Sequence, residues 1–468
     1  MSPGRGAGGH PGTGAGARPL AGRDGRGGSG GGIRGTGTSG TGGTLTQVPV
    51  AGPAGDAAAA GQAVADAPRT TAAPGTGLLL ALGALSAFGP LCLDMYLPAL
   101  PDLAASLHST ASAAQLSLSA CIVGLALGQL LVGPLSDRWG RRGPLLVGVA
   151  VFVVASAACA VTPTMWLFVV LRLLQGASGA AGIVLGRAIV ADHWTGRAAA
   201  GAYALMAAVN GFSPVLAPVI GGQVLRVGDW RTVFWVLAGI GVALLLLVVL
   251  AVPESLPPGR RSTGRLSTSF AGFAVVMRDP VYLGWVASGT LVAGAMFGYI
   301  SASPFLLQDG FGLSPQLFSI CFAINAVGIA ATSQLGRVLV RRRRPATLLT
   351  ASAVQCLAGA LLLAASLLVG WGLWPVLVGL FVMVSALGLG MPSASALSMD
   401  RHRTVAGSAA AVFGAAQFAL AAVAAALVGI GNRAAGSALA VTALTCAVLA
   451  LATVLVTRRA AGREHAAG

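Results

Sequence analysis

Apolar residues along the chain recur in long stretches, which short polar segments rich in Arg, Gly and Pro separate. A stretch of about 20 such residues crosses the roughly 30 Å hydrocarbon core of a bilayer as a helix. Twelve stretches of this kind can be placed between residues 78 and 457. Because lipid offers no hydrogen-bond partner to an exposed backbone, the spans must be helical. The pattern therefore predicts an all-α membrane protein with twelve transmembrane helices.

A segment at 253–281, which contains several Pro and Arg residues, divides the spans six and six. We predict an N-terminal six-helix half at 77–252 and a C-terminal six-helix half at 282–457, joined by this segment as a cytoplasmic linker. Each half also has a basic run between its second and third spans. Two pseudo-symmetric six-helix halves are the repeat plan of the major facilitator fold, which is the fold that we expect.

The two ends of the chain differ from the spans in composition. Residues 1–76 are mostly Gly, Ala, Thr and Pro, with few large apolar side chains. Such a segment cannot bury enough surface to offset its ordering entropy, so we predict a disordered cytoplasmic tail. It lacks the apolar region of a cleavable signal peptide. Residues 458–468 are predicted to form a second, short cytoplasmic tail.

The charge of the chain supports a membrane protein and indicates its orientation. Of 468 residues, 55% are hydrophobic and 9% are charged, whereas soluble domains carry about 25% charged residues. The net charge of +16 could indicate a nucleic-acid partner, but the arginines lie in short runs between spans, which argues against one. Nineteen lie in loops predicted to be cytoplasmic and three in outside loops. This bias predicts cytoplasmic termini in the inner (plasma) membrane.

Residue types that enzymes and metal sites need are missing from the sequence. All 29 basic residues are Arg, so no GxxxxGK[ST] phosphate loop exists. The six cysteines have no CxxC spacing, and no HExxH motif occurs. We therefore expect no metal, no cofactor and no enzymatic activity. Membrane lipid, protons and a small-molecule substrate are the expected partners.

The loop between the second and third spans contains Gly133, Asp137, Arg138, Gly140 and Arg141. It resembles the GxLaDrxGrr loop of major facilitator transporters. The two glycines would allow a close helix approach and a tight turn. The resemblance implies a cytoplasmic latch, in which the carboxylate and the arginines form a charge network that opens when the carrier rocks. A simple Arg cluster that sets topology is the alternative. The corresponding run of the second half lacks an acidic residue.

Two charged residues lie inside predicted spans. Asp94 is the only carboxylate there, in the first span, and Arg172 is the only deep basic residue, in the fourth. At 1.5 Å per residue, both lie roughly 8–10 Å below the outer surface, so they could pair. An ionisable residue within a membrane is a functional-site hypothesis by default, and we predict a proton-coupling role for both. Interface stabilisation by Asp94 and helix packing by Arg172 are the alternatives.

The fifth span contains Pro214, Pro218, Gly221 and Gly222, which predict a bent helix at a gate. The segment resembles the GPxxGG-type signature of drug–proton antiporters, although Ser213 replaces the usual Gly. Arg172 in an RxxxG sequence likewise resembles the fourth-helix motif of the family, whose Arg is linked to proton handling. Ordinary tolerance of Pro in membrane helices is the alternative for the fifth span.

Three further stretches resemble the Bcr/CflA drug-resistance subfamily: Asp94–Pro101, Tyr299–Phe305 and Phe322–Ala326. The resemblance implies a proton-coupled exporter, usually a monomer, for small lipophilic drugs of the chloramphenicol and bicyclomycin class. Export of an endogenous metabolite, such as a sugar or amino-acid derivative, is the alternative. A lipophilic substrate needs an apolar cavity with few polar anchors, and the candidate substrate-binding residues are Tyr96, Asn210, Tyr299 and Asn325.

Overall fold

The structure is a computed structural model that describes residues 75–261, 271–402, 406–430 and 435–467. The predicted tail at 1–76 therefore lies almost entirely outside the described residues. Within these ranges the chain is helical and contains no strand, and twelve helices are long and apolar enough to cross a membrane. The predicted fold class is confirmed. Spans 1 to 12 are Gly77–Ser106, Ala111–Trp139, Arg142–Val161, Met165–His193, Gly196–Val224, Trp230–Ala251, Pro280–Gly310, Pro315–Leu339, Pro345–Val369, Leu373–Arg401, Ala409–Gly429 and Gly436–Arg463.

Side chains in the short loops begin several of the helices. The Thr110 hydroxyl accepts a hydrogen bond from the Ala113 amide at the start of span 2. Carboxylates do the same at span 6 and span 7, where Asp229 and Asp279 accept from amides of the first turn. These caps satisfy backbone donors that have no partner within the helix. Polar loop residues thus define where the apolar helices start.

Span 1 is the most interrupted helix of the first half. Its pieces are Thr76–Ser86, Phe88–Asp94, the 3₁₀ turn Leu97–Ala99 and Leu100–Ser106. Prolines such as Pro98 contribute to these breaks because they have no amide hydrogen to donate. Span 7 changes similarly, from an α-helix at Pro280–Pro304 to a π-helical turn at Phe305–Gly310. The first span of each half is thus irregular toward its end, and Asp94 lies at such an irregularity.

Glycines allow spans 2 and 4 to pack with their backbones in contact. A Cβ atom on Gly124 would fall on the Leu173 carbonyl oxygen, and one on Gly176 would fall on the Cys121 carbonyl oxygen. The close approach that the sequence predicted at Gly133 is not found, because a Cβ atom there would meet no atom within 4 Å. The glycines in contact lie deeper in the spans, where the two helices cross.

The two sets of six spans meet through a few helices. Span 2 packs on span 11, and span 5 packs on span 8. The turn Leu97–Ala99 of span 1 contacts spans 5, 7 and 8. The last helix continues to Ala467, into the predicted second tail. The exact limits predicted for the two halves and the linker remain predictions.

Replacement of Gly176 with Ala should destabilise the protein, because the new methyl group would overlap the Cys121 carbonyl. We expect a loss of about 1–3 kcal/mol, measured as a lower melting temperature in detergent. Gly239→Ala is the matched control, since a Cβ atom there meets nothing within 4 Å. Equal melting temperatures for the two variants would contradict the close contact between spans 2 and 4.

Candidate functional site

Arg172 is a fully buried cation in span 4. Its Nη2 donates to the Cys92 carbonyl oxygen at 2.7 Å, and its Nη1 donates to Gln175 Oε1. The guanidinium carbon lies 4.2 Å from the ring centre of Tyr96 and 5.7 Å from that of Phe234. Neutral dipoles and aromatic faces therefore stabilise this charge. Its Nε has no hydrogen-bond partner among the described residues.

The groups around Arg172 are themselves held in place by hydrogen bonds. Gln175 Nε2 donates to Ser156 Oγ at 2.7 Å, which fixes the amide oxygen toward the guanidinium. The Tyr96 hydroxyl lies 3.2 Å from Ser117 Oγ. Both serines also donate to backbone carbonyls of their own helices. Spans 1, 2, 3 and 4 thus contribute to one buried polar cluster, which we call the Arg172 cluster.

Asp94 lies beside this cluster without joining it. The side chain is 5% exposed and ends the helical piece Phe88–Asp94, two residues after Cys92. Among the described residues, no ion pair connects Asp94 to Arg172. The pairing that matched depths suggested is therefore absent in this conformation, since the guanidinium is occupied by the Cys92 carbonyl and by Gln175.

The predicted substrate-binding residues fall into three places. Tyr96 belongs to the Arg172 cluster. In the second half, Asn325 Nδ2 donates to the Tyr299 hydroxyl at 2.9 Å, and Phe322 stacks on that ring at 5.5 Å between centres. Asn210 in span 5 is half-buried and makes no side-chain hydrogen bond to the other three. Of these four residues, the structure joins Tyr299 and Asn325 directly, through this hydrogen bond.

The predicted glycine pair of span 5 is a contact point between the halves. A Cβ atom on Gly221 would fall on the Met95 carbonyl oxygen of span 1, and one on Gly222 would meet the Ser319 side chain of span 8. Gln316 Nε2 also donates to the Gly222 carbonyl oxygen at 3.0 Å. Close approach of three helices therefore requires small residues here.

A second glutamine links the halves nearby, where Gln115 Nε2 of span 2 donates to the Ser301 carbonyl oxygen of span 7 at 3.2 Å. The contacts of Gly221, Gly222 and Gln115 lie toward the end of the molecule where spans 1 and 2 are joined. We call these three residues and their partners the span 1–2 gate. The span 5 helix is continuous across Pro214 and Pro218. The predicted bend at these prolines remains a prediction.

A charge network occupies the opposite end, at the loop between spans 2 and 3. Arg141 Nη1 donates to Asp137 Oδ1 at 2.5 Å and to Ser136 Oγ at 2.6 Å, and Arg141 Nε donates to Asp192 Oδ2 at 3.1 Å. Ser255 Oγ donates to the same Asp192 oxygen at 2.8 Å. The predicted partners Asp137 and Arg141 are therefore together, and they are joined to the end of span 4 and to the segment after span 6.

Glu254 completes this network from the segment after span 6. It accepts from the backbone amide of Arg141 at 2.8 Å and from that of Arg142 at 3.3 Å, and it lies 3.8 Å from Arg261 Nη2. The turn that exposes these amides needs Gly140, whose φ is +92°. Partial burial disfavours the charged carboxylate, but the amide donors and Arg261 outweigh it and lower the pKa of Glu254 below its ordinary value.

Sequence reasoning missed Asp192 and Glu254. Asp192 lies in the last turn of the helix Met165–His193, and Glu254 stands in a segment whose charged residues are mostly Arg. The signal available for Glu254 was its negative charge directly after Pro253, in a segment with several arginines. Arg138, a predicted latch residue, is exposed and has no hydrogen-bond partner among the described side chains. The network thus joins the first half to the segment that follows span 6.

An apolar groove of about 410 Å³ lies between spans 2, 3 and 4. Exposed side chains such as Trp139 and Val147 line it. It contains none of the predicted substrate-binding residues. We do not assign the substrate to this groove.

A family model described as the Major Facilitator Superfamily matches residues 79–426. The chain belongs to this superfamily. Its members are transporters, so the twelve spans form a multi-pass membrane transporter. The chain is 36% identical over 390 residues to an uncharacterized MFS-type transporter, YdgK, of Bacillus subtilis, which covers 83% of this chain and 97% of the relative.

Two other relatives of this transporter carry names that refer to drug resistance. A bicyclomycin resistance protein homolog of Haemophilus influenzae is 28% identical and covers 75% of this chain and 88% of the relative. The multidrug resistance protein MdtL of Klebsiella pneumoniae is 30% identical and covers 73% and 86%. The predicted resemblance to the Bcr/CflA subfamily is confirmed at the level of the family.

Solved structures show the same fold at low sequence identity. A D-xylose–proton symporter aligns with a TM-score of 0.64 and 16% identity over 80% of this chain and 96% of that chain. A bacterial homolog of the human lysosomal transporter Spinster, in an inward-facing and occupied conformation, also has a TM-score of 0.64 and 16% identity, over 81% and 96%.

Replacement of Glu254 with Gln should weaken the charge network at neutral pH. Because the pKa of Glu254 is lowered in the folded state, its stabilisation is present above the ordinary value of about 4.3 and is lost as pH falls through the lowered value. We expect Glu254→Gln to cost about 1 kcal/mol at pH 7 and much less below about pH 4.

The melting temperature in detergent, measured across this pH range, tests the prediction. Asp102→Asn is the control, since Asp102 is an exposed carboxylate in the short helix before the loop between spans 1 and 2. If the melting temperature of Glu254→Gln were lower than that of the wild type by the same amount at every pH, the carboxylate charge would not be what stabilises the turn.

Proposed function

We propose that this transporter exports small lipophilic drugs, of the bicyclomycin and chloramphenicol class, in exchange for protons by alternating access. Asp94 carries the proposal, because it is a nearly buried carboxylate at a break in span 1. An ionisable group is costly inside a membrane and marks ion pathways. The names of the relatives support the class of cargo.

The position of Asp94 suggests how a proton could act on the gate. It lies three residues before the turn Leu97–Ala99, which contacts spans 5, 7 and 8. A charged Asp94 would attract Arg172, whereas a protonated Asp94 leaves Arg172 on the Cys92 carbonyl, as in this structure. If Arg172 moved from the Cys92 carbonyl to Asp94, the break in span 1 would shift and the span 1–2 gate would loosen.

Drug and proton would then compete for the region beside the Arg172 cluster. Tyr96, Asn210, Tyr299 and Asn325 are the proposed substrate-binding residues. Three of them already have hydrogen-bond partners within the protein, which leaves few polar groups to recognise a sugar. A lipophilic substrate fits this arrangement better than a polar metabolite, because such cavities are mostly apolar with a few polar anchors.

Arginines are in excess at the end of the molecule that carries the charge network. This excess supports a location in the inner membrane with that end and both termini in the cytoplasm. The span 1–2 gate would then close the cavity on the outer side. We propose that the network around Arg141, with Asp137 and the turn at Gly140, is the latch of the inner side. The transporter is expected to act as a monomer.

Asp94→Asn should abolish uphill drug export, because an amide cannot carry the exchanged proton. Cells that express the variant should accumulate bicyclomycin or chloramphenicol as vector-only cells do, and a protonophore should produce the same loss in the wild type. Asp102→Asn, eight residues farther along span 1 and exposed, is the matched control and should retain export. Full proton-driven export by the Asp94→Asn variant would refute the proposed coupling.

Gly222→Val should impair export by holding the span 1–2 gate apart, since a side chain there would overlap Ser319. The expected result is a loss of most export with the protein still present in the membrane. Gly201→Val in the same span is the control, because a Cβ atom at Gly201 meets nothing within 4 Å. Normal export by Gly222→Val would show that closure at this contact is not part of the cycle.

A further inference from the structure

The loop between spans 8 and 9 carries an unusual density of positive charge. Arg341, Arg342, Arg343 and Arg344 follow one another, and Arg337 lies one helical turn earlier. All five side chains are exposed. Backbone hydrogen bonds from 341, 342 and 343 to the end of the span 8 helix fix the turn. We call these five residues the arginine turn.

No carboxylate neutralises the arginine turn within the described part of the chain. The one side-chain hydrogen bond described there runs from Arg337 Nη1 to the neutral Gln334 Oε1 at 3.2 Å. The first turn of the span 9 helix contains no acidic residue. The corresponding loop of the first half differs, because Asp137 and Asp192 both contact Arg141. The second loop therefore keeps its full charge.

The surroundings of the arginine turn place it at a membrane surface. Leu335, Val338 and Val340 are 53%, 64% and 50% exposed, so apolar side chains flank the arginines at the end of span 8. The N-terminus of the span 9 helix begins at Pro345 and adds a positive dipole end. An anion would be attracted by the arginines and by the helix end together.

We propose that the arginine turn binds the headgroups of anionic phospholipids. Clusters of four to eight basic residues directly beside a transmembrane helix attract anionic headgroups, by about 1 kcal/mol for each residue. The exposed apolar side chains favour lipid over a soluble anion, because they hold the turn where lipid phosphates are concentrated. This inference is independent of the cargo and of proton coupling.

The test uses the full-length transporter in detergent, titrated with fluorescently labelled phosphatidylglycerol and, separately, phosphatidylcholine that carries the same label. The wild type should prefer phosphatidylglycerol, and the preference should fall as salt is raised. The double variant Arg342→Gln/Arg343→Gln should lower the preference roughly 25-fold, since each charge contributes about fivefold. Arg342→Lys/Arg343→Lys keeps the charge and should retain most of it.

A second double variant, Arg197→Gln/Arg459→Gln, removes the same charge from exposed arginines elsewhere and should retain the preference. The proposal is overturned if the wild type binds both lipids equally or if the Arg342/Arg343 glutamine variant keeps its preference. An equal loss in the control variant would also overturn it, because the effect would then follow net charge alone. Competition by free glycerol phosphate as strong as that by unlabelled lipid would exclude a lipid headgroup as the ligand.

Discussion

The hydrocarbon core of a bilayer cannot form hydrogen bonds, so each polar group that the chain places there needs a partner within the protein. Regular helices meet this requirement for most of the backbone. Where span 1 breaks near Asp94, side chains of other spans take over. Arg172 donates to the Cys92 carbonyl two residues before that break. The interruption of span 1 and the buried cation of span 4 therefore depend on each other.

A buried cation that is held by dipoles and rings rather than by a carboxylate can exchange partners. Removing one partner of a tight buried ion pair leaves a costly uncompensated charge. Arg172 instead donates to the Cys92 carbonyl and to Gln175 and lies over the Tyr96 ring. Asp94 follows Cys92 by two residues in the chain. Such an arrangement suits a carrier that must change conformation in each cycle, because no single strong pair locks it.

The two halves share a fold but treat charge differently. In the first half, the loop after span 2 is neutralised by Asp137 and Asp192 and is tied down by Glu254. In the second half, the arginine turn at 341–344 has no carboxylate partner among the described residues. The two loops occupy corresponding positions in the two halves, but they therefore differ in charge.

The sequence alone determined the twelve spans, because length and apolarity in lipid leave the backbone only one regular choice. It also singled out Asp94 and Arg172, since isolated charges stand out within apolar stretches. Only the tertiary structure decided that Arg172 bonds to the carbonyl of Cys92, 80 residues away, and that Glu254 caps the turn at Gly140. These contacts join residues distant in the chain, and their geometry depends on helix breaks and crossings that no local pattern encodes.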